Sequence, residues 1–552
     1  MSTLRSTRWS WYACSIALLA LAVLRIVWLE AYPLNSDEAQ HAHVAWAWTR
    51  GLLPYRDVFD NHGPLFGLIH SLVFRLTGER ADVMTWLRLS VQLWYVLALL
   101  SVWWIGRRLY GPRVAFAAVL IAGLFPRFFL ISGQFRTDDM WAAAWLASLA
   151  MVVGAPWRYW RWLTAGLLAG VALSVSQKTL LLLTTALLAW LVVGLVRPPL
   201  ESLGRRRCVL AGLVGLLLPP LACFGWLYLH GDLAAAWYEL AGYNLASNNV
   251  GSDGTEHVSG GDVFMKLPWL FLLLAAGTAL TVMWLHRSRQ AITASSAFLL
   301  LQGGFFLLLI WFVWPMVTRQ DFLPVIPTLV LVVCAIVARQ PWLVLSPRQW
   351  FGVGAMAIAA ELVSLLLAAP PWQNQLVEQR MQLAAVLRYT DSGDTVMDAK
   401  GDSIFRMRPY YPVIESLAMR RLKNGLLLDT IAAELVRHQT MAVIRLRLPR
   451  ASDAFVQLNY LTAGDNFWIA GQVLPAGAAP RTLHIALPGH YILVDGVNPV
   501  SASLDGQPAA SEWTLARGDH QWSTPATGML YLVWSQAWER GWRPQMPAME
   551  TH

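Results

Sequence analysis

Long uncharged runs alternate with short polar connections over the first two thirds of the chain, and then the pattern changes. Apolar runs at 11–29, 86–106, 114–131, 140–154, 162–175, 179–196, 209–229, 267–285, 296–314, 322–338 and 351–368 approach or reach the length of a helix that crosses a bilayer. They predict an α-helical polytopic membrane protein with about eleven transmembrane helices. After Pro370 and Pro371 such runs stop. "NQLVEQRMQLAAVLRY" has helical periodicity, "TVMDA" and "MAVIRLRL" read as strands, and "RTLHIALPGHYILVDG" onward alternates as half-buried β-structure does. The expected organisation is a membrane domain over 1–369, with a large first loop at 30–85, followed by a soluble, C-terminal, mixed α/β and then β-rich domain over 370–552.

Composition agrees with this division. A chain of 552 residues that is 56% hydrophobic and 14% charged is too apolar for a soluble globular protein. Its net charge of +9 does not point to nucleic acid, because the arginines are scattered between apolar runs instead of gathered on one segment. Arg5 and Arg8, Arg107, Arg108 and Arg113, Arg158 and Arg161, Arg197 and Arg205 to Arg207, Arg287 and Arg289, and Arg339 and Arg348 fall on alternate connections. The bias toward basic residues in cytoplasmic loops then places the amino terminus inside and the C-terminal domain outside, on the side of the first loop. Arg50, Arg56, Arg75, Arg80 and Arg88 in that loop run against the rule, but long loops cross largely regardless of charge. The four cysteines, Cys14, Cys208, Cys223 and Cys334, have neither a disulfide framework nor a zinc-site spacing. Arg5 and Arg8 before a run of about twenty apolar residues fit a retained first span.

Most charge outside the arginine-rich connections collects on the other side of the bundle. Asp37 and Glu38 follow the first run, "QFRTDD" with Arg136, Asp138 and Asp139 lies between the third and fourth, Lys178 between the fifth and sixth, and "TRQDF" with Arg319 and Asp321 between the ninth and tenth. Folding would gather these into one cavity facing away from the cytoplasm. Each also has a plainer reading. Lys178, one of four lysines, can be a snorkelling side chain. Asp37 and Glu38 can cap the helix through "AQHAHVAWAW"; Arg136 with Asp138 and Asp139, and Arg319 with Asp321, can be local ion pairs. Asp37, Glu38 and His41 share a helical face that a divalent metal ion can use, which makes them candidate ligands; no cofactor is otherwise indicated. Glu361, inside the last run, is a costly intramembrane carboxylate.

The stretches "SDEAQHAHVAWAWTRGLLPYRDVFDNHGPLF", "RTDD", "SQKTLLLL" and "RQDFLPVIP" stand in an order that resembles the bacterial members of the C-type (GT-C) integral-membrane glycosyltransferases, relatives of the protein O-mannosyltransferases and lipid A aminoarabinose transferases. The resemblance implies a multi-pass protein of the bacterial cytoplasmic membrane. It also implies inverting transfer of a sugar from a polyprenyl-phosphate-linked donor to an envelope acceptor (glycolipid, polysaccharide or protein) on the outer side. On that reading Asp37, with Glu38, is catalytic, Lys178, Arg136 and Arg319 hold the donor phosphate, and Asp138, Asp139, Tyr55 and His62 bind or orient substrate. A transporter or flippase of lipid-linked sugar, and a non-catalytic envelope assembly protein, are the alternatives. A transporter usually places its polar site near the membrane midplane and shows related halves.

Overall fold

The computed structural model describes residues 2–196, 203–243, 292–314, 317–338 and 346–544. The first helix, α1 (Ser2–Val27), is from Ile16 onward a run of Leu, Ala, Val and Ile, with a buried arginine, Arg25, near its end. That guanidinium is satisfied by Gln92 Oε1 at 2.8 Å and the carbonyls of Phe129 and Ser132, and it lies 4.1 Å over the Tyr95 ring. Such pairing is what allows a cation to sit inside an apolar bundle.

The first loop is itself helical. It holds α2 (Ser36–Thr49), α3 (Leu65–Thr77) and α4 (Val83–Ser90), the last abutting α5 (Gln92–Tyr110) at Val91. The helix α2 starts where it does because of a capping box: Asn35 Oδ1 accepts from Asp37 N, and Glu38 accepts from Asn35 N, both at 2.9 Å. The arginines that oppose the charge rule in this loop are partly explained by their partners, since Arg56 pairs with Asp57, Arg80 with Asp82 and Arg88 with Glu38.

The bundle continues through α6 (Pro112–Leu124), α7 (Pro126–Ile131), α8 (Thr137–Val152), α9 (Tyr159–Val175), α10 (Thr179–Val196) and α11 (Leu203–His230). After α12 (Leu233–Trp237) and a π-helical turn, Tyr238–Gly242, come α13 (Ile292–Val313), α14 (Ile326–Ala338) and α15 (Pro347–Ala368). Among the described residues, five helical segments are long and apolar enough to cross a membrane: Val83–Tyr110, Thr179–Val196, Arg205–His230, Ala294–Val313 and Arg348–Ala368. The apolar helices Ser15–Val27, Leu65–Thr77, Pro112–Leu124 and Ile326–Ala338 are shorter.

Two predicted spans are corrected. The run at 114–131 is not one helix, because Pro126 lacks an amide hydrogen and its ring forces Phe125 to an extended ψ of 116°, separating α6 from α7. The run at 322–338 begins as the end of a 3₁₀ turn, Arg319–Phe322, and becomes α-helical only from Ile326. The predicted span at 267–285 lies outside the described residues.

Glycines let α9 and α11 touch. A methyl group on Gly166 would lie 2.0 Å from the Gly212 carbonyl oxygen, and one on Gly215 would lie 2.3 Å from that of Leu163. Backbones this close exclude any side chain, the usual device of helix pairs in lipid.

The C-terminal region is built on an eight-stranded sheet of order β1-β2-β4-β8-β5-β7, with β3 paired to β4 and β6 to β8. Strand β1 (Val396–Met397) runs parallel to β2 (Ala442–Ile444); β3 (Tyr460–Thr462), β4 (Phe467–Ile485), β5 (Gly489–Val494), β6 (Ser503–Leu504), β7 (Glu512–Leu515) and β8 (Gly518–Trp534) pair antiparallel. This agrees with the α/β-then-β expectation. The functional consequence lies at the end of β1. The chain leaves it into a loop, 398–415, that returns to α2 of the membrane domain.

Candidate active site

The loop after β1 is held by Asp398, which accepts from Gly401 N at 2.6 Å and Ser403 N at 2.9 Å and pairs with Arg408 at 2.9 Å. Gly401, at φ +90°, lies against α2 so closely that a methyl group there would meet the Cβ of His43 at 2.7 Å. His43 Nδ1 in turn lies 2.9 Å from the Ile404 carbonyl, as the donor of that bond. This fit delivers Lys400, buried to all but 6% of its side chain, onto Asp37.

Asp37 is therefore gripped from both sides. Lys400 of the C-terminal region bonds one carboxylate oxygen and Arg136, at the threshold of α8, bonds the other. Arg136 also donates to Asn35 Oδ1 at 3.0 Å and to Asp138 at 3.1 Å. Lys178, in the short turn between α9 and α10, lies 3.4 Å from Asp138 and bonds Asp321. Asp321 is anchored by the Thr318 amide at 2.7 Å. The result is one alternating chain of charge, Glu415, Lys400, Asp37, Arg136, Asp138, Lys178 and Asp321, crossing from the C-terminal loop to the approach of α14.

The electrostatics follow from this order. Burial alone would raise the Asp37 carboxyl, but Arg136 and Lys400 more than reverse that and hold it well below the usual carboxylate range. Burial works against the charge of Lys178 and Lys400, and their carboxylate neighbours overcome it, so both ammonium groups are raised. His41 is pushed well below its usual value, first by burial and then by His62 and Arg136, so its imidazole is neutral. Asp37 keeps 26% of its side chain accessible, which makes it the reachable acid of a largely buried network.

Of the residues singled out in the sequence, Asp37, Arg136, Asp138 and Lys178 meet directly. Glu38 does not join them. It is fully buried and turned the other way, taking two bonds from Arg88 at 2.7 and 2.8 Å and one from the Phe135 amide at 2.8 Å. Its partners leave no reacting atom within reach, so it positions the first loop and α2. The same contacts remove it from the expected metal group of Asp37, Glu38 and His41, whose Asp37 is also committed to two cations. Arg319 does not pair with Asp321, which belongs to Lys178; Arg319 sits in the 3₁₀ turn beside it. Asp139 is buried next to Asp138 with neither carboxylate oxygen hydrogen-bonded. Tyr55, at φ +69°, donates to the His62 carbonyl at 2.5 Å and orders the first loop. His62 lies against His41 and beside Asp60.

Lys400 is the residue that sequence reasoning missed. It stands 363 positions from Asp37 in a soluble loop, and the scarcity of lysine is the one signal that could have drawn attention to it.

The helical membrane bundle with its helical first loop and the sheet-rich C-terminal domain share their fold with solved structures of ArnT. Residues 61–222 match the dolichyl-phosphate-mannose-protein mannosyltransferase family. The crystal structure of ArnT from Cupriavidus metallidurans bound to undecaprenyl phosphate is similar over 84% of this chain and 98% of its own, with a TM-score of 0.56 and 16% identity. The apo form of the same protein gives 0.54 and 15% over 83% of this chain and 98% of its own. No curated protein matches the chain in sequence.

Proposed function

We propose that the protein is an inverting glycosyltransferase of the bacterial cytoplasmic membrane, moving a sugar from a polyprenyl-phosphate-linked donor to an envelope acceptor on the outer side. The observation that carries this reading is Asp37, accessible and ionised, set between cations of two domains in a GT-C fold. The acceptor hydroxyl attacks the anomeric carbon of the donor as Asp37 takes its proton. The bond from that carbon to the phosphate oxygen breaks, and polyprenyl phosphate leaves with the electron pair.

The clamped state of Asp37 suits this order of events. A carboxylate held so far below its usual range is a weak base until its cations find another anion. The departing phosphate is that anion. As it gains charge it draws on Lys178, Arg136 and Arg319 while Asp37 recovers basicity, so proton removal and departure of the phosphate favour each other. Asp138 and Asp321 hold Lys178 in place for this, and Lys400 makes the reaction depend on the C-terminal loop being docked. An apolar cavity of about 490 Å³ lined by α1, α5 and α6, with Leu21, Leu99 and Trp103 among its walls and Arg25 and Gln92 among its few polar members, suits an isoprenoid tail. A second, small cavity of about 100 Å³ lies between α2, the first loop and the C-terminal loop beside Lys400, and offers the acceptor a polar foothold.

Native mass spectrometry of the purified chain with polyprenyl phosphate tests the donor side. The wild type is expected to retain the lipid phosphate, and Lys178→Ala to bind it about tenfold or more weakly for the loss of a buried charge-assisted contact. Equal retention by both proteins would remove Lys178 from the phosphate site.

A further inference from the structure

Three side chains converge beside the Asp37 network without belonging to it. His41 of α2, and Asp60 and His62 of the first loop, each bring one ligand atom to within 4.8 Å of the other two. His41 is buried and its Nε2 has no hydrogen-bond partner; His62 Nδ1 is also enclosed without a hydrogen bond, its nearest polar neighbour being Asp60 Oδ1 at 3.4 Å. The two rings meet edge to face with centroids 4.7 Å apart, a contact that leaves both nitrogens unsatisfied. Enclosed polar atoms are nearly always paired, so two on facing histidines next to a carboxylate call for a ligand.

The surrounding loop is built to hold these donors still. The Asp60 amide donates to Glu239 at 3.0 Å, the His62 amide to Asp60 Oδ1 at 3.0 Å, and the Gly63 amide to the Val175 carbonyl at 3.2 Å. Tetrahedral coordination with bonds of about 2.0–2.1 Å sets ligand atoms about 3.3 Å apart. His62 Nδ1 and Asp60 Oδ1 already stand at 3.4 Å, and His62 is the most exposed of the three, which leaves its ring the most room to adjust.

From this geometry we propose that His41, Asp60 and His62 form a binding site for one divalent transition-metal ion of the zinc type. Two imidazoles and one carboxylate match the nitrogen and oxygen preference of such ions, and three protein ligands leave a coordination position open to an oxygen donor. His41 follows Asp37 by one helical turn, so a bound ion stands beside the proposed catalytic acid and ties the loop after Tyr55 to α2. The inference rests on the ligand geometry alone and does not depend on sugar transfer.

The test uses the full chain, purified without an affinity histidine tag, stripped with a chelator and titrated with Co²⁺ and then Zn²⁺. The expected result is one equivalent of Co²⁺ with the visible bands of low-coordinate cobalt, displaced by Zn²⁺, and a higher unfolding temperature in the metal-bound protein. His62→Gln is expected to weaken binding tenfold or more and to erase both signals, whereas His490→Gln in β5 leaves them intact. Should His62→Gln fold poorly, X-ray absorption at the zinc edge of the wild type decides: two imidazole ligands are expected. The proposal is overturned by absence of saturable uptake, by unchanged uptake in His62→Gln, or by a zinc shell without imidazole.

Discussion

At the scale of single residues, the proposed function turns on what surrounds two adjacent acids. Asp37 is accessible and shared by Arg136 and Lys400, whereas Glu38 is sealed against Arg88. Their substitutions should therefore separate. Asp37→Asn is expected to lower sugar transfer by about 10²–10⁴-fold per folded molecule, the range for loss of a general base, and to lower the unfolding temperature as well because Arg136 and Lys400 lose their shared anion. Glu38→Gln strands a buried arginine and should cost about 3–5 kcal/mol of stability, read as a lower unfolding temperature of the solubilised protein. Lys400→Met should lower transfer by about 10²-fold and leave insertion intact; an unchanged rate would confine Lys400 to interface packing. Asp37, Arg136, Asp138 and Lys178 were legible in the sequence because each marks the end of an apolar run on one side of the bundle. The different fates of Asp37 and Glu38 were not, since they depend on Arg88 arriving 50 residues later.

At the scale of elements, the apolar runs announced most helices, but proline and close packing set their actual bounds. Pro126 divides α6 from α7, and the stretch before α14 coils as a 3₁₀ turn because Thr318 and Asp321 cap each other there. The contact of α9 with α11 depends on Gly166 and Gly215, which hydropathy does not register. Gly166→Val should force the two backbones apart at a cost of roughly 2–3 kcal/mol or more, seen as a smaller monodisperse fraction on size exclusion and a lower unfolding temperature. Gly194→Val on α10, where a Cβ meets nothing within 4 Å, is the matched control.

At the scale of the whole molecule, the membrane bundle and the C-terminal domain share one site. Composition changes after Pro370, and in the structure the sheet-forming residues follow that point. The return of the 398–415 loop to α2 was not readable from the sequence, because tertiary pairing over several hundred residues leaves no local pattern. A latch secures that return: Tyr411 donates its one proton to the Tyr55 carbonyl at 2.8 Å and accepts from the protonated Glu239, whose other oxygen accepts from the Asp60 amide. Burial raises the Glu239 carboxyl to about 8 from an ordinary 4.5. A folded-state value above the unfolded one favours the protonated fold, so this contribution is present at low pH and is lost as pH rises through about 8. Thermal unfolding and protease cleavage of the C-terminal domain should thus show weaker docking at pH about 9 than at about 7, and Glu239→Gln should flatten that dependence.

The central claim is that Asp37 activates the acceptor in a sugar transfer. Mass spectrometry of envelope glycolipids and polysaccharides tests it most directly, in cells carrying no copy, the wild type, or Asp37→Asn at matched membrane levels. A sugar increment present only with the wild type is the expected result and identifies both sugar and acceptor. The same increment restored in full by Asp37→Asn would contradict the account.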